Sequence, residues 1–106
     1  METDTMELVT IALENDRFRK SGNGVMLTRG VQEFKSIGGL MEAVREYDNF
    51  SGANDAYGEH DFGSIVWESQ KVFWKIDYYD QALRCWEDPA SAMCRRVMTV
   101  MLAEEY

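Results

Sequence analysis

Two runs of β-branched and aromatic residues follow one another in this chain, FGSIVWES at 62–69 and KVFWKIDYY at 71–79. Such runs on either side of a short turn predict a β-hairpin. A two-residue turn at Ser69-Gln70 would place Glu68 opposite Lys71, as a favourable charge pair. The other predicted pairs are Trp67 with Val72, Val66 with Phe73 and Ile65 with Trp74. Side chains alternate along a strand, so one face carries the predicted core: Ile65, Trp67, Val72, Trp74, Ile76 and Tyr78.

Apolar spacing predicts three helices around this hairpin. They span 4–20, 36–50 and 87–106, and a short strand is predicted at 25–30, VMLTRG. In the last helix, Asp88 would be the N-cap and Pro89 the first helical residue. Its predicted buried stripe is Ala90, Met93, Cys94, Val97, Val100 and Met101. The predicted fold is one α+β domain over residues 1–106, of order α-β-α-β-β-α, in which a small antiparallel sheet packs against about three helices.

The net charge restricts the class of partner. Nineteen acidic residues against eleven basic ones give this 106-residue chain a charge of −8. Nucleic-acid binding relies on Lys and Arg to neutralise phosphates, so the charge argues against a nucleic-acid partner. An acidic surface suits a basic patch on another protein, although a charge of this size also keeps ordinary small domains soluble. We expect a protein partner with a basic surface, and neither nucleic acid nor membrane.

The composition also predicts the compartment. No apolar run approaches the length of a membrane span, and the acidic start METDTMELVT does not resemble a signal peptide. The two cysteines, Cys85 and Cys94, are too few for a disulfide framework and lack zinc-ligand spacing. We therefore expect a cytoplasmic protein whose thiols are reduced.

The hexapeptide GEHDFG at 58–63 holds the only histidine, His60, between Glu59 and Asp61. Together with Asp55, these side chains are of the types that bind a divalent metal. On a strand, however, His60 would point away from its two neighbours, so we predict a turn leading into a strand, and no metal. Motifs for a nucleophile, a phosphate loop or a dinucleotide are absent. We predict a non-enzymatic protein without a cofactor. The alternatives are a metal-dependent enzyme around these four residues and a regulatory protein-binding module.

Acidic residues are concentrated in two stretches, 42–61 and 77–88. The second stretch also carries Tyr79 and Trp86, residue types that anchor protein interfaces. If the two stretches meet in the fold, they form one negative surface that would steer a basic partner. The predicted partner-binding residues are Glu42, Glu46, Asp48, Asp55, Glu59, Asp61, Asp77, Tyr79, Asp80, Trp86, Glu87 and Asp88.

Four blocks of this sequence resemble a small bacterial family catalogued only as a domain of unknown function. They are ENDRFR at 14–19, YGEHDFG at 57–63, VFWKIDYYD at 72–80 and RRVMTVMLAEEY at 95–106. The Cys85-Trp86 pair after QALR departs from the resemblance, where a more polar turn is expected. The resemblance implies a single compact domain and brings no catalytic residues.

The same resemblance implies an association with plasmids or phage-like elements. A short acidic protein of that origin suggests an inhibitor of a host-defence nucleoprotein, of the anti-CRISPR or anti-restriction type. Such an inhibitor would cover a basic nucleic-acid site on its target.

Overall fold

The computed structural model describes the main chain of residues 5–106 and the side chains from Glu7 onward. Its helices are α1 (Thr5–Ser21), α2 (Arg29–Gln32) and α3 (Ile37–Arg45), and its strands are β1 (Val25–Leu27), β2 (Phe62–Trp67), β3 (Gln70–Tyr79) and β4 (Arg95–Leu102). A 3-10 turn, Ala103–Glu105, follows β4. The four strands form one sheet in the order β1-β4-β3-β2. The predicted α+β class is confirmed, but the number and order of strands differ from the prediction.

The predicted hairpin is present, with its turn one residue earlier than expected. Trp67 pairs with Gln70, so Glu68 and Ser69 form the two-residue turn. Both turn residues have positive φ, 46° and 66°, as the twist of a tight hairpin favours. The predicted pairing is therefore wrong by two residues. An even shift leaves every side chain on its original face, so the predicted core face is confirmed, with Trp74 fully buried.

The predicted last helix is wrong, because residues 95–102 form strand β4. The segment before it, 87–94, consists of turns, in which the Asp88 carboxylate accepts a hydrogen bond from the Ala90 amide at 2.9 Å. Asp88 therefore caps a turn and not a helix. Along β4 the core side chains are Met98, Val100 and Leu102, spaced by two residues. Of the predicted stripe, Ala90 and Met93 are exposed.

The sheet is mixed, which the sequence reasoning did not predict. β1 pairs with β4 in parallel, Val25 opposite Met98, whereas β2–β3 and β3–β4 are antiparallel. The predicted strand 25–30 stops at Leu27 and continues as α2. Helix α1 agrees with the predicted 4–20 apart from Asp4, which lies outside the described residues, and it ends before Gly22, whose φ is +75°. Helix α3 stops five residues before the predicted end at 50.

The helices lie on one side of the sheet. The buried residues Val31, Phe34, Leu40 and Val44 pack against the face of the sheet that carries Trp74. The opposite face is called the open face below. Its side chains are those of Met26, Phe62, Ser64, Val66, Lys71, Phe73, Lys75, Asp77, Tyr79, Arg95, Val97, Thr99 and Met101. Within residues 5–106, no helix is long and apolar enough to cross a membrane.

Candidate functional site

The GEHDFG segment forms a turn that leads into β2, which begins at Phe62. Gly58 and His60 both have positive φ, 68° and 55°. The Asp55 side chain holds this turn by accepting a hydrogen bond from the His60 amide at 3.2 Å. The imidazole of His60 stacks on the Phe50 ring, with centroids 3.8 Å apart and planes 3° from parallel. The turn thereby directs the histidine inward.

Both ring nitrogens of His60 face carboxylates. Nδ1 lies 3.0 Å from Oδ1 of Asp16 on α1. Nε2 lies 3.6 Å from Oδ2 of Asp55. A nitrogen in hydrogen-bond contact with a carboxylate must carry its hydrogen, so Nδ1 is the donor to Asp16. The histidine thus joins helix α1 to the loop before β2.

The four residues of the metal-site alternative do not converge on one point. His60 and Asp55 contact each other, whereas the Glu59 carboxylate accepts a hydrogen bond from the Tyr78 hydroxyl at 2.6 Å. Because residues 59–61 precede β2, the expected strand alternation does not apply to them. In the part of the chain that the structure describes, no three His, Cys, Asp or Glu side chains are grouped to hold a metal ion.

A buried hydrogen-bond network connects α1 to the sheet through Asn15, which is fully buried. Its amide nitrogen donates to the Tyr78 hydroxyl at 2.8 Å and to the Glu59 carbonyl at 2.9 Å. Its oxygen accepts from Arg96 Nε at 2.5 Å. Burial, and then the hydrogen bond to Glu59, raise the pKa of Tyr78. Tyr78 therefore stays protonated and donates to the Glu59 carboxylate.

The sequence reasoning missed Asn15 and Arg19 as site residues. Asn15 lies at helical spacing from the apolar residues Ile11 and Phe18 of α1. A polar residue at this position was the sequence signal for a buried hydrogen-bond network, because a buried amide needs partners. Arg19, one turn further along the helix, donates to Asp16 at 2.9 Å, so Asp16 is shared between Arg19 and His60.

Next to this network lies a pocket of about 370 Å³ between α1, the 59–61 turn and the 86–89 turn. We call it the acidic pocket. Its polar and aromatic lining residues are Glu7, Glu59, Asp61, Tyr78, Trp86 and Asp88. The Trp86 side chain is 70% exposed, and its main chain bridges to Tyr79 of β3. The pocket therefore combines four carboxyl groups with one accessible indole ring.

The electrostatics of the pocket are unusual at Asp61. Burial, and secondly the neighbouring Glu59, raise the pKa of Asp61 from 3.8 to about 6. Desolvation and the like charge of Glu59 both disfavour the ionised form of Asp61. A positive group in the pocket would favour that form. The arrangement is therefore suited to a cation and unsuited to an anion.

The structure separates the predicted partner-binding residues. Glu59, Asp61, Trp86 and Asp88 come together in the acidic pocket. Asp77 and Tyr79 lie on the open face, where Asp77 is 3.2 Å from Lys75 Nζ. The remaining ones lie elsewhere. Glu42, Glu46 and Asp48 are exposed on or just after α3, Asp80 and Glu87 bond to nearby amides, and Asp55 is held by His60.

Comparison with known proteins gives a family and no function. The model of a family described as "Protein of unknown function (DUF3768)" matches residues 27–105. The match begins in β1 and ends in the 3-10 turn, so helix α1 with its ENDRFR block lies outside it. No curated protein and no solved structure matches the chain. Two of the four blocks that suggested a domain of unknown function fall in this region, as does the block 95–106 except for its last residue, and the chain belongs to the DUF3768 family.

Proposed function

We propose that this protein is a non-enzymatic binding protein that takes a basic side chain of a partner protein into the acidic pocket. The observation that carries the proposal is Trp86, a large apolar ring that is 70% exposed at a pocket bearing four carboxyl groups. A Lys or Arg side chain can lie over an indole face while its charge meets the carboxylates. Trp is also among the residues that most often dominate protein interfaces.

The charge around the pocket supports this choice of partner. None of the described residues that line it is basic. Arg96, a cation of the adjoining network, donates to Asn15 and to the Pro89 carbonyl at 2.9 Å. The whole chain carries −8, which accelerates the approach of a basic partner at moderate salt.

For the identity of the partner, we propose the basic nucleic-acid-binding surface of a host-defence nucleoprotein, a CRISPR or restriction effector. The association with plasmids or phage-like elements that the sequence resemblance implies supports this class, as does the complementarity between an acidic protein and a phosphate-binding surface. The exposed acids Glu42, Glu46 and Asp48 would add to the attraction. An affinity pull-down from the native host, with these effectors identified by name, tests the class.

A metal-dependent enzyme is not proposed. Its four candidate residues do not converge on one point, because Asp55 contacts His60 while Glu59 bonds to Tyr78. The buried Tyr78 hydroxyl and Asn15 amide are hydrogen-bonded to each other. The geometry of these groups is that of a structural network.

A basic peptide tests the pocket without knowledge of the partner. Hexa-arginine is titrated into the protein while the indole N–H signal of Trp86 is followed by NMR. We expect a salt-sensitive shift, and weaker binding in Trp86→Ala and Glu7→Lys. The matched control is Glu33→Lys, directly after α2, which makes the same charge change at an exposed site outside the pocket. Equal weakening in Glu7→Lys and Glu33→Lys would mean that only the overall charge matters, and the pocket would not be the site.

A further inference from the structure

The open face is a second surface with a different character. Three aromatic rings form a cluster on it, with centroids 5.0 Å apart for Phe62 and Phe73 and 5.7 Å for Phe73 and Tyr106. Met101, the partner of Phe73 on β4, is buried outside the main core. At the periphery, Val66 and Met26 are 73% and 61% exposed. This combination of rings and exposed apolar side chains is larger than isolated surface residues would explain.

The charge of this face is opposite to that of the chain. Lys71, Lys75 and Arg95 are its cations, and Asp77, paired with Lys75, is its one acid among the described strand residues. Glu104 lies at the edge, where it shares a shallow pocket with Lys71. Two copies meeting through this face about a two-fold axis would bring like charges together, which disfavours a dimer.

Cations and rings alternate on the face. Lys71, Phe73 and Lys75 follow one another at every second residue of β3, about 7 Å apart. Lys71 Nζ lies 5.5 Å from the centroid of Phe73, and Lys75 Nζ lies 5.7 Å from that of Tyr106. Further along β3, Tyr79 is paired with Arg95 on β4. Each ring thus has a cation beside it.

We propose that the open face binds single-stranded nucleic acid. Bases would stack on the rings of this face, of which Tyr106 is exposed and Phe62 and Phe73 are half-buried. Phosphates would contact Lys71, Lys75 and Arg95. Sheet surfaces with aromatic side chains and flanking cations bind single strands in this way, without a sequence preference. Lys71 and Lys75 lie four residues apart on β3, about 14 Å, so they would contact phosphates that are not adjacent in the strand, with Phe73 between them. An acidic polypeptide would use the cations, but Asp and Glu side chains have no aromatic ring to stack on Phe62, Phe73 and Tyr106.

The net charge of −8 had predicted no nucleic-acid partner for the chain as a whole. That prediction rests on the total charge, whereas contacts at physiological salt are screened beyond about 8 Å. The cations of the open face therefore act locally. For single strands, each phosphate contact contributes about −0.7 to the slope of log K against log salt concentration. Three contacts therefore predict a slope of about −2.

The test uses labelled oligo-dT and oligo-rU in fluorescence anisotropy at 50 and 150 mM salt. We expect binding that weakens with salt, and that is at least tenfold weaker in the double variant Lys71→Glu, Lys75→Glu. The matched control is Lys20→Glu, Lys35→Glu, which makes the same charge change at exposed positions away from this face. Equal loss in both double variants, or no binding to the unchanged protein at 50 mM salt, overturns the proposal.

A second variant tests the rings. Phe73→Leu keeps an apolar side chain but removes the stacking surface, and about fivefold weaker binding or more is expected. Thermal melting confirms that the variant is folded, and if it is not, Lys71→Glu alone at an exposed position provides the comparison. Poly-glutamate and duplex DNA are the competing ligands. Poly-glutamate binding as tightly as the oligonucleotides would show that the face recognises acidic chains, and the proposal would be wrong.

Discussion

The guanidinium carbon of Arg19 lies 5.0 Å from the ring of Trp74, and both side chains are buried, at 1% and 0% exposure. Arg19 also donates to the carbonyl oxygens of Val44 at 3.0 Å and Tyr47 at 2.9 Å. A charged group from α1 therefore holds the end of α3 and covers the central tryptophan of the sheet. The cation is compensated by Asp16 and by the ring, as a buried charge requires.

Replacing Arg19 by Ala is expected to lower the free energy of unfolding by about 3–5 kcal/mol, because it leaves two carbonyl groups without their donor and Asp16 with His60 as its remaining donor. Urea denaturation followed by circular dichroism measures the change. The control is Arg17→Ala, two residues earlier, whose side chain is 74% exposed and whose loss should change stability by less than about 0.5 kcal/mol. Similar effects of the two substitutions would contradict the role of Arg19.

Replacing Gly63 by Ala is expected to lower the stability of the fold. A Cβ at this position on β2 would collide with the indole nitrogen and ring of Trp74, which pairs with Gly63 across the hairpin. The ring is fixed in the core and cannot move away, so Gly63→Ala should cost about 1–3 kcal/mol. Gly52→Ala is the matched control, since open space surrounds its Cβ. Adding Trp74→Phe to Gly63→Ala should recover part of the lost stability, because the smaller ring leaves room for the Cβ. If the losses of the two single variants simply add in the double variant, the collision is refuted.

The hairpin turn offers a stabilising substitution. Ser69 has a φ of 66°, a conformation that costs a residue with a side chain about 1 kcal/mol and costs glycine little. Ser69→Gly should raise the melting temperature, whereas Ser64→Gly, in the middle of β2, should lower it. Differential scanning calorimetry of both variants checks the opposite signs. Glu68 should be retained, because its carboxylate accepts hydrogen bonds from the amides of Lys35 and Ser36.

The raised pKa of Asp61 predicts how stability depends on pH. Between about pH 4 and pH 6 the unfolded chain has released the Asp61 proton while the folded chain retains it. The contribution of Asp61 is therefore fully present below pH 3.8 and is lost as the pH rises through 6. Asp61→Asn should remove this dependence and melt at a higher temperature than the unchanged protein at pH 7.5. Melting curves at pH 4.5 and 7.5 measure the effect, with exposed Asp48→Asn as the control.

The hairpin could be predicted because its signal is local. The core face of β3 was identified correctly although the register was wrong by two residues, since Trp74 and its neighbours at every second position keep their face under an even shift. The turn position was missed because Glu-Ser lacks the Asn-Gly signal of residues that adopt positive φ readily.

Strand β4 could not be predicted in the same way. Its apolar residues Val97, Val100 and Met101 fit a helical spacing, while Met98, Val100 and Leu102 fit a strand spacing equally well. The decision between them comes from partners distant in the chain. β4 has strands on both sides, β3 and β1, and a central strand of this kind carries apolar residues at most positions.

The acidic pocket was predicted in part. Glu59, Asp61, Trp86 and Asp88 were selected as acids and aromatics in two separate stretches, and the fold places them together. Glu7 and the buried Asn15 come from α1, which no local pattern connects to those stretches. Three-dimensional neighbours of this kind follow from the topology and not from spacing.

The position of β1 in the sheet bears on how the chain acquires its structure. Strands β2, β3 and β4 form a meander in which each strand pairs with its neighbour in sequence. In contrast, Val25 of β1 pairs with Met98 of β4, which is distant in the sequence. Closing so long a loop is entropically unfavourable until the meander exists, and distant pairings slow folding. We expect the meander to form first and β1, with α1, to dock last and open first. In native-state hydrogen exchange, the amides of residues 25–27 should therefore lose protection before those at the centre of β3.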